Sequence, residues 1–186
     1  RKEILSGGQV IWVCPFLQER EEDTAVSARR RLGEIRENLP DVPAGLIHGQ
    51  MPAAEKDEAM EDFAEGRTRL LVATTVVEVG IDVAGTTMIV VEDAERFGLS
   101  QLHQLRGRAG RGQGGGICVL LTATEDREAK ERLEILAANT DGLRIAEEDL
   151  RLRGPGALCG TRQHGVTEFR VADLSRDRSL VELARR

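Results

Sequence analysis

Two arginines three residues apart in a glycine-rich segment are the clearest chemical signal in the sequence. Residues 104–112 read QLRGRAGRG, and the pair is Arg108 and Arg111. The glycines permit close approach of the backbone, so both side chains can project toward one point. A planar guanidinium that is always charged suits the negative charge on a transferring phosphoryl group. Spacing alone leaves an alternative open, in which an arginine–glycine loop binds only solvent or a carboxylate.

A second group of polar residues follows the apolar run 70–73. Thr74 and Thr75 come directly after it, and Gly80 and Asp82 lie a few residues further on. If the run is a strand of a parallel sheet, these residues lie beyond its carboxyl end, where such sheets bind ligands. The threonines can bind a phosphate, and Asp82 can accept a hydrogen bond from a ribose hydroxyl. The residue types by themselves favour the simpler interpretation that Thr and Asp cap the following helix.

Strands and helices that position these residues alternate along the chain. Apolar runs typical of strands buried on both faces occur at 10–14, 44–47, 70–73, 88–91 and 117–121. Helical patterns occur at 23–38, 52–65, 125–138, 145–152 and 173–185. In the first of these helices, Val26, Leu32 and Ile35 are predicted to form the buried face. The alternation predicts an α/β fold: a parallel sheet with helices on both faces at 1–123, followed at 124–186 by a helical hairpin, a glycine-rich loop and a final helix.

The composition restricts the classes of protein that fit. The chain has 186 residues, too few for a complete two-domain motor, and its net charge is −6. No apolar stretch approaches the roughly 20 residues of a membrane span. Three separated cysteines without a C-x-x-C pair favour free thiols over disulfides or zinc. The segment 96–124 holds four arginines and no acidic residue, and 150–172 holds four arginines and one glutamate, so the acidic average does not exclude nucleic-acid binding.

The two polar groups, in this order and spacing, resemble motifs V and VI of the superfamily 2 helicases. The matching residues are Gly80 and Asp82 in the G-x-D of motif V, and Gln104, Gly107, Arg108 and Arg111 in the Q-x-x-G-R-x-x-R of motif VI. The preceding stretch 94–103, AERFGLSQLH, narrows the resemblance to the RecG type of helicase, with the transcription-repair coupling factor as its nearest relative. Residues 48–51, HGQM, match the same group.

The residues after 124 resemble the translocation motif that these two helicase types share, a helical hairpin followed by a loop. Arg132, Arg153 and Gln163 fall on the functional positions of that motif. Three residues depart from the RecG pattern: Ala157 replaces an acidic residue, Cys159 an aliphatic one, and His164 a Ser or Thr. The segment 168–174, EFRVADL, favours RecG over the coupling factor.

The resemblance implies the second RecA-like motor domain of a branched-DNA helicase, bound to ATP, Mg²⁺, branched or duplex DNA and the preceding RecA-like domain of the same chain. It implies that Arg108 and Arg111 act as arginine fingers in ATP hydrolysis. The implied nucleotide contacts are Gly80, Asp82, Gln104 and Gly107, and the implied DNA or translocation residues are His48, Thr74, Arg132, Arg153 and Gln163. It also implies a monomeric, bacterial, cytoplasmic protein that acts on stalled forks and Holliday junctions in repair and recombination, with no membrane partner and no metal site in this chain.

Two parts of a complete ATPase are absent from the sequence. It contains no G-x-x-x-x-G-K-[ST] loop to hold phosphates, and no predicted strand ends in an Asp-Glu pair that could hold Mg²⁺. By the resemblance, both belong to the preceding motor domain, so the chain alone is expected to be inactive. Two alternatives stay open: the equivalent piece of a coupling factor, and a RecA-like DNA-binding module without catalysis.

Two aromatic residues also have competing roles. Trp12 lies in an apolar run, which favours a core position over a platform for base stacking. His103, next to Gln104, is expected to pack or cap rather than to contact the nucleotide.

Overall fold

The computed structural model describes residues 1–15, 21–74, 85–110 and 115–153. The elements are α1 (Lys2–Leu5), β1 (Gln9–Cys14), α2 (Glu21–Asn38), β2 (Ala44–Ile47), α3 (Ala53–Ala64), β3 (Leu70–Thr74), β4 (Thr86–Val91), a 3₁₀ turn (Ala94–Arg96), α4 (Leu99–Arg106), β5 (Ile117–Leu120), α5 (Arg127–Ala138) and α6 (Gly142–Arg153). Within these ranges, no helix is long and apolar enough to span a membrane. The predicted final helix at 173–185 lies outside the described residues.

The strands form one parallel sheet in the order β2-β3-β1-β4-β5. The register pairs Val10 with Leu70, and Ile47 with Ala73, so the strands end close together at one edge of the sheet. The predicted strands and the predicted α/β class are confirmed. Parallel strands require crossover connections, and within the described residues α2, α3 and α4 lie in the connections from β1 to β2, β2 to β3 and β4 to β5.

The two faces of the sheet carry separate apolar cores because successive side chains of a strand point to opposite sides. Val10 and Cys14 of β1 pack with Ala28, Leu32 and other residues on the face covered by α1 and α2. The other face carries α3, α4, α5 and α6. The prediction of helices on both faces is therefore confirmed.

The buried face of α2 differs from the predicted one. Val26 is 60% exposed, whereas Ala28, Leu32 and Ile35 are buried. The reason is the helical period: residues 24, 28, 32 and 35 lie on one side of a helix, and residue 26 lies about 200° away from residue 24. The prediction for Leu32 and Ile35 is confirmed, and the one for Val26 is wrong.

The helix α4 is absent from the sequence-based prediction. Leu99, Leu102 and Leu105 are buried at spacings of three residues, which is one face of a short helix. The backbone N–H of Gly98 donates to the side-chain oxygen of Gln101 at 3.0 Å, which fixes the start of the helix. A helix this short carries a weak periodic signal, and its flanking glycines resemble those of a loop.

The hairpin of α5 and α6 shares its core with the sheet. Leu133, Leu136 and Ile145 pack in the same cluster as Leu102 and Leu105 of α4. The hairpin prediction is confirmed in its two helices. A domain boundary at 123/124 stays a prediction, since the apolar core on this face is continuous across it.

A half-buried ion pair joins α2 to the carboxyl end of β4. Glu92 accepts a hydrogen bond from Arg31 Nε at 2.8 Å and one from the indole N–H of Trp12 at 2.9 Å. The Arg31 guanidinium carbon lies 5.5 Å from the centre of the Trp12 ring. Burial opposes ionisation of Glu92, but the hydrogen bonds from Arg31 and Trp12 outweigh it, so the pKa of this carboxyl is lowered. Trp12 is thus a half-buried structural residue, as predicted.

Cys14 lies beside the same carboxylate. Burial first, and then the negative charge of Glu92, raise the pKa of the Cys14 thiol to about 12. Cys14 and Cys118 are both free. The prediction of free thiols is confirmed for these two residues, and Cys159 lies outside the described part of the chain.

Replacing Glu92 with Gln is expected to lower the free energy of unfolding by about 1–3 kcal/mol at pH 7, because Arg31 loses a charged partner. The difference should shrink as pH falls below 4.5, the ordinary value of the carboxyl, since protonation at the lowered pKa then removes the same charge from the wild type. Urea unfolding of the chain, followed by circular dichroism, measures both effects.

The control variant is Asp41→Asn, because the ion pair between Asp41 and Arg1 is exposed on both sides. Such pairs contribute about 0.5 kcal/mol or less. Equal losses from Glu92→Gln and Asp41→Asn would contradict the structural role of Glu92.

Candidate functional site

The arginine-rich segment lies at the amino end of the sheet. Helix α4 follows β4 and leads into β5, which is parallel to β4, so α4 runs antiparallel to the strands and ends near their starts. The N–H of Gly110 donates to the carbonyl of Thr86, the first residue of β4, at 2.8 Å. His48 and Thr74 lie at the opposite, carboxyl end. The predicted site residues therefore divide between two ends of one sheet.

Glycines close the base of the arginine loop. Gly110 has a φ of +73°, and a Cβ there would lie 2.1 Å from the backbone nitrogen of Gly116. The close approach that these glycines permit is thus between the two ends of the loop itself. Any larger residue at Gly110 would push these ends apart and move Arg108, two residues away.

Gln104, Gly107 and Arg108 lie along a continuous helical turn. The N–H of Gly107 donates to the carbonyl of His103, and the N–H of Arg108 to that of Leu105, each at 3.0 Å. Gln104 and Gly107 are exposed, and Arg108 is half-buried. The turn holds these residues on the end of a packed helix. Gly80, Asp82 and Arg111, which the sequence analysis assigned to the same site, lie outside the described residues.

His48 and Thr74 lie side by side at the carboxyl end. They follow the paired residues Ile47 and Ala73, and both side chains are buried. The Nε2 of His48 lies 3.2 Å from a guanidinium nitrogen of Arg29 on α2. The Nδ1 of His48 and the hydroxyl of Thr74 have no hydrogen-bond partner within the described parts of the chain. Burial, and then the charges of Arg29 and Lys56, lower the pKa of His48.

Arg106 fixes the turn of the hairpin to α4. Its Nη1 donates to the carbonyls of Leu136 at 2.7 Å and Asn139 at 2.6 Å, and its Nη2 lies 3.4 Å from the carbonyl of Thr140. The carbonyl of Leu136 belongs to the last turn of α5, where a helix leaves its carbonyls unpaired, and those of Asn139 and Thr140 lie in the turn that follows. No role for Arg106 was predicted from its residue type or spacing. A signal was available: α5 ends at Asn139 without a left-handed glycine, so its carbonyls need an outside donor.

His103 supports the same contact. Its Nδ1 accepts a hydrogen bond from Arg106 Nη2 at 2.8 Å. A Cβ on Gly142, the first residue of α6, would lie 2.7 Å from the Nε2 of His103, so a larger residue there would require the His103 ring to move. The predicted packing role of His103 is confirmed.

The middle of α5 and the second half of α6 contact residues near the carboxyl end of the sheet. Arg132 Nη2 donates to the carbonyl of Glu95 at 3.0 Å, in the 3₁₀ turn that follows β4. The hydroxyl of Ser100 lies 3.4 Å from a carboxylate oxygen of Asp149 on α6. Arg153 is the last residue of α6, so the backbone of α6 ends on this side. Gln163 lies outside the described residues.

Two family models match the chain. The helicase conserved C-terminal domain matches residues 2–113, and domain 3, C-terminal, of the ATP-dependent DNA helicase RecG matches residues 139–186. The chain belongs to the helicase conserved C-terminal domain family.

Individual relatives confirm the resemblance to RecG. The chain is 48% identical to the ATP-dependent DNA helicase RecG of Thermotoga maritima over 186 residues, which are 100% of this chain and 24% of that protein. It is 48% identical to RecG of Escherichia coli (strain K12) over 179 residues, 96% of this chain and 26% of that protein. A solved structure of RecG bound to a three-way DNA junction is similar, with a TM-score of 0.72 and 45% identity; the match covers 97% of this chain and 23% of that one. The chain thus spans about a quarter of the length of the relatives it matches.

Replacing Arg106 with Ala is expected to loosen the hairpin, because the carbonyls of Leu136 and Asn139 lose a charged donor. The expected cost is about 1.5–3 kcal/mol, borne by the local opening of α5 and α6 rather than by the sheet. Amide hydrogen exchange measures this: protection should fall in α5 and α6 and stay unchanged in β1 and β3.

Arg144→Ala is the matched control, since Arg144 is an exposed arginine on α6. It should leave exchange in the hairpin unchanged. Equal exchange rates in wild type and Arg106→Ala would show that Arg106 does not hold the turn.

Proposed function

We propose that this chain is the second motor domain and the translocation hairpin of an ATP-dependent helicase that remodels branched DNA, including stalled forks and Holliday junctions, in repair and recombination. The observation that carries the proposal is the course of the hairpin. Its turn is tied by Arg106 beside the arginine loop, and the middle of α5 is tied by Arg132 to the 3₁₀ turn that follows the carboxyl end of β4.

The amino end of the sheet is the proposed ATP side. Arg108 and Arg111 approach the γ-phosphate of an ATP molecule held mainly by the preceding motor domain, and they stabilise charge in the transition state. Arginine fingers of this kind contribute on the order of 10³–10⁵ to the rate. The proposed nucleotide contacts of this domain are Gly80, Asp82, Gln104 and Gly107. The helical turn fixes the backbone of Arg108, and this supports the role because a preorganised charge stabilises a transition state without reorganisation.

Mg²⁺ accompanies ATP in this proposal and is assigned to the preceding domain. Within the described ranges, no three His, Cys, Asp or Glu side chains group into a metal site. The residues described do not fit the ion, and no step of the mechanism in this domain uses it.

The hairpin is the proposed link between ATP and DNA. A helix rises 1.5 Å per residue, so α5, with 12 residues, extends about 18 Å and spans the depth of the sheet. Closure of the two motor domains on ATP displaces α4 together with the arginine loop. Arg106 and Arg132 transmit this displacement to α5 and α6, and the loop that follows Arg153 and carries Gln163 shifts against duplex DNA. A packed element with two positions, biased by the nucleotide, is the physical requirement for such coupling.

The carboxyl end of the sheet is the proposed DNA side, with His48 and Thr74 near the phosphate backbone. The RecG relative bound to a three-way junction supports branched DNA as the substrate. The relatives also favour a RecG-type protein over a coupling factor. The remaining parts of the proposal are a monomer in the bacterial cytoplasm and contact with the preceding motor domain of the same chain.

In the full-length protein, Arg108→Ala is expected to lower the rate of ATP hydrolysis by at least about 10³-fold while ATP binding survives. The reason is that a finger acts on the transition state rather than on the bound substrate. Steady-state hydrolysis and equilibrium binding of a fluorescent ATP analogue separate these two quantities.

Arg96→Ala is the control, because Arg96 belongs to the same basic segment but lies on the 3₁₀ turn at the other end of the sheet. It should hydrolyse ATP at nearly the wild-type rate. A wild-type rate for Arg108→Ala would refute the finger role and leave the non-catalytic module as the better explanation.

Gln163→Ala in the full-length protein is expected to uncouple the motor: ATP hydrolysis on DNA continues, and fewer base pairs are unwound per ATP. The proposed reason is that Gln163 transmits movement of the hairpin to DNA and does not contact ATP. Parallel assays of ATP consumption and fork unwinding give the ratio. An unchanged ratio would remove Gln163 from the translocation mechanism.

A further inference from the structure

One row of polar residues lies at the carboxyl end of the sheet beneath α2. Cys14, Thr74 and Glu92 belong to it, and His48 continues it at the strand β2; each follows strand residues that pack on the α2 face. Two arginines of α2 reach this row. Arg31 binds Glu92, and Arg29 lies 3.2 Å from His48.

The two arginines have partners of different charge. Arg31 faces a carboxylate, which cancels its positive charge at this edge. Arg29 faces an imidazole, and a guanidinium has no acceptor, so the Nε2 of His48 must be the unprotonated acceptor and the ring must be neutral. The lowered pKa of His48, caused by burial and by Arg29 and Lys56, agrees with a neutral ring. Arg29 therefore keeps its full charge while one of its N–H groups is held in place.

The surroundings of Arg29 also favour an anion. Lys56 Nζ donates to the carbonyl of Gly49 at 2.6 Å, next to His48. Helix α3 begins directly after Pro52, which provides no side-chain cap for the first N–H groups. These groups carry the positive end of the helix dipole. The acidic residue of this first turn is Glu55, whose charge acts on His48 in the opposite direction to the charges of Arg29 and Lys56.

We propose that Arg29 is the side chain that binds a DNA backbone phosphate at this end of the sheet, and that His48 is its positioning residue. This proposal rests on the proposed DNA-binding function and makes it more specific. It assigns the direct DNA contact to Arg29 instead of His48. His48 is only 3% exposed, whereas Arg29 is exposed to solvent. The fork of N–H groups that Arg29 retains matches the geometry of a phosphate.

The test uses the full-length protein and a fluorescent three-way DNA junction, with binding measured by anisotropy over a range of salt concentrations and without nucleotide. A single lost phosphate contact lowers the slope of log K against log salt by about 0.9. At 0.1 M salt this corresponds to a loss of affinity of roughly fivefold to tenfold for Arg29→Gln. The control is Arg30→Gln, the neighbouring arginine, which pairs with Glu34 at 3.7 Å and should leave the slope unchanged.

A double-mutant cycle tests whether His48 acts through Arg29 or contacts DNA by itself. His48→Phe keeps a ring in the cavity but removes the acceptor, so it should weaken binding in the wild type and have little effect when Arg29 is already Gln. His48→Gln restores an acceptor and should recover most of the affinity. Thermal unfolding of each variant identifies any loss that comes from misfolding.

Each outcome decides between the proposals. If the wild type binds the junction and Arg29→Gln has the same affinity and salt slope, the role of Arg29 is overturned while the proposed function stands. If a folded His48→Phe weakens binding equally with and without Arg29, the positioning role is overturned. If the wild type does not bind the junction at all, both the proposed function and this inference fail.

Discussion

The contact between Arg106 and the hairpin turn decides how the two ends of this molecule are related. Without it, the half-buried carbonyls of Leu136 and Asn139 would lose a charged hydrogen-bond donor, which costs free energy. One guanidinium supplies donors to Leu136 and Asn139 and at the same time to His103. Because Arg106 lies two residues before Arg108, the hairpin is anchored to the element that carries the proposed finger. A displacement of the helix end that carries Arg108 is therefore expected to displace the hairpin.

Parallel topology explains why the proposed ATP and DNA sites lie apart. Every strand of a parallel sheet starts at one edge and ends at the other, so a helix that follows a strand must return to the first edge. Loops after strands and loops after helices are thus separated by the depth of the sheet. The hairpin runs along that depth, with Arg106 bound to its turn and Arg132 holding the middle of α5 to the 3₁₀ turn after β4. Coupling between the two ends of the sheet then needs a rigid element that is anchored at more than one point.

The strands, whose signal is local, are predictable from the sequence, whereas contacts that depend on packing are not. The apolar runs fixed the strands because a buried parallel strand needs a continuous apolar segment. The helix α4 was not predicted because it is short. The contacts of Arg106 were not predicted because its partners lie 30 to 34 residues further along the chain. The interior position of His48 could not be read either: its burial depends on α2, a distant element. Motif matches identify functional residue types, but they do not show which of these side chains are exposed at the surface.

The partner of each arginine determines how a basic site can form on a chain with a net negative charge. A guanidinium held by a carboxylate is oriented but neutralised, as Arg31 is by Glu92. A guanidinium in water is charged but free to rotate, and ordering it on binding costs about 0.5–1.5 kcal/mol. A buried neutral imidazole avoids both losses, because it orients the cation without cancelling its charge. The net charge of −6 is then a poor guide to DNA binding, since what matters is whether each arginine has a charged or a neutral partner. By this criterion the two arginines that reach the polar row beneath α2 have different roles. Arg31 pairs with Glu92 and stabilises the fold, whereas Arg29 contacts the neutral His48 and can bind an anion.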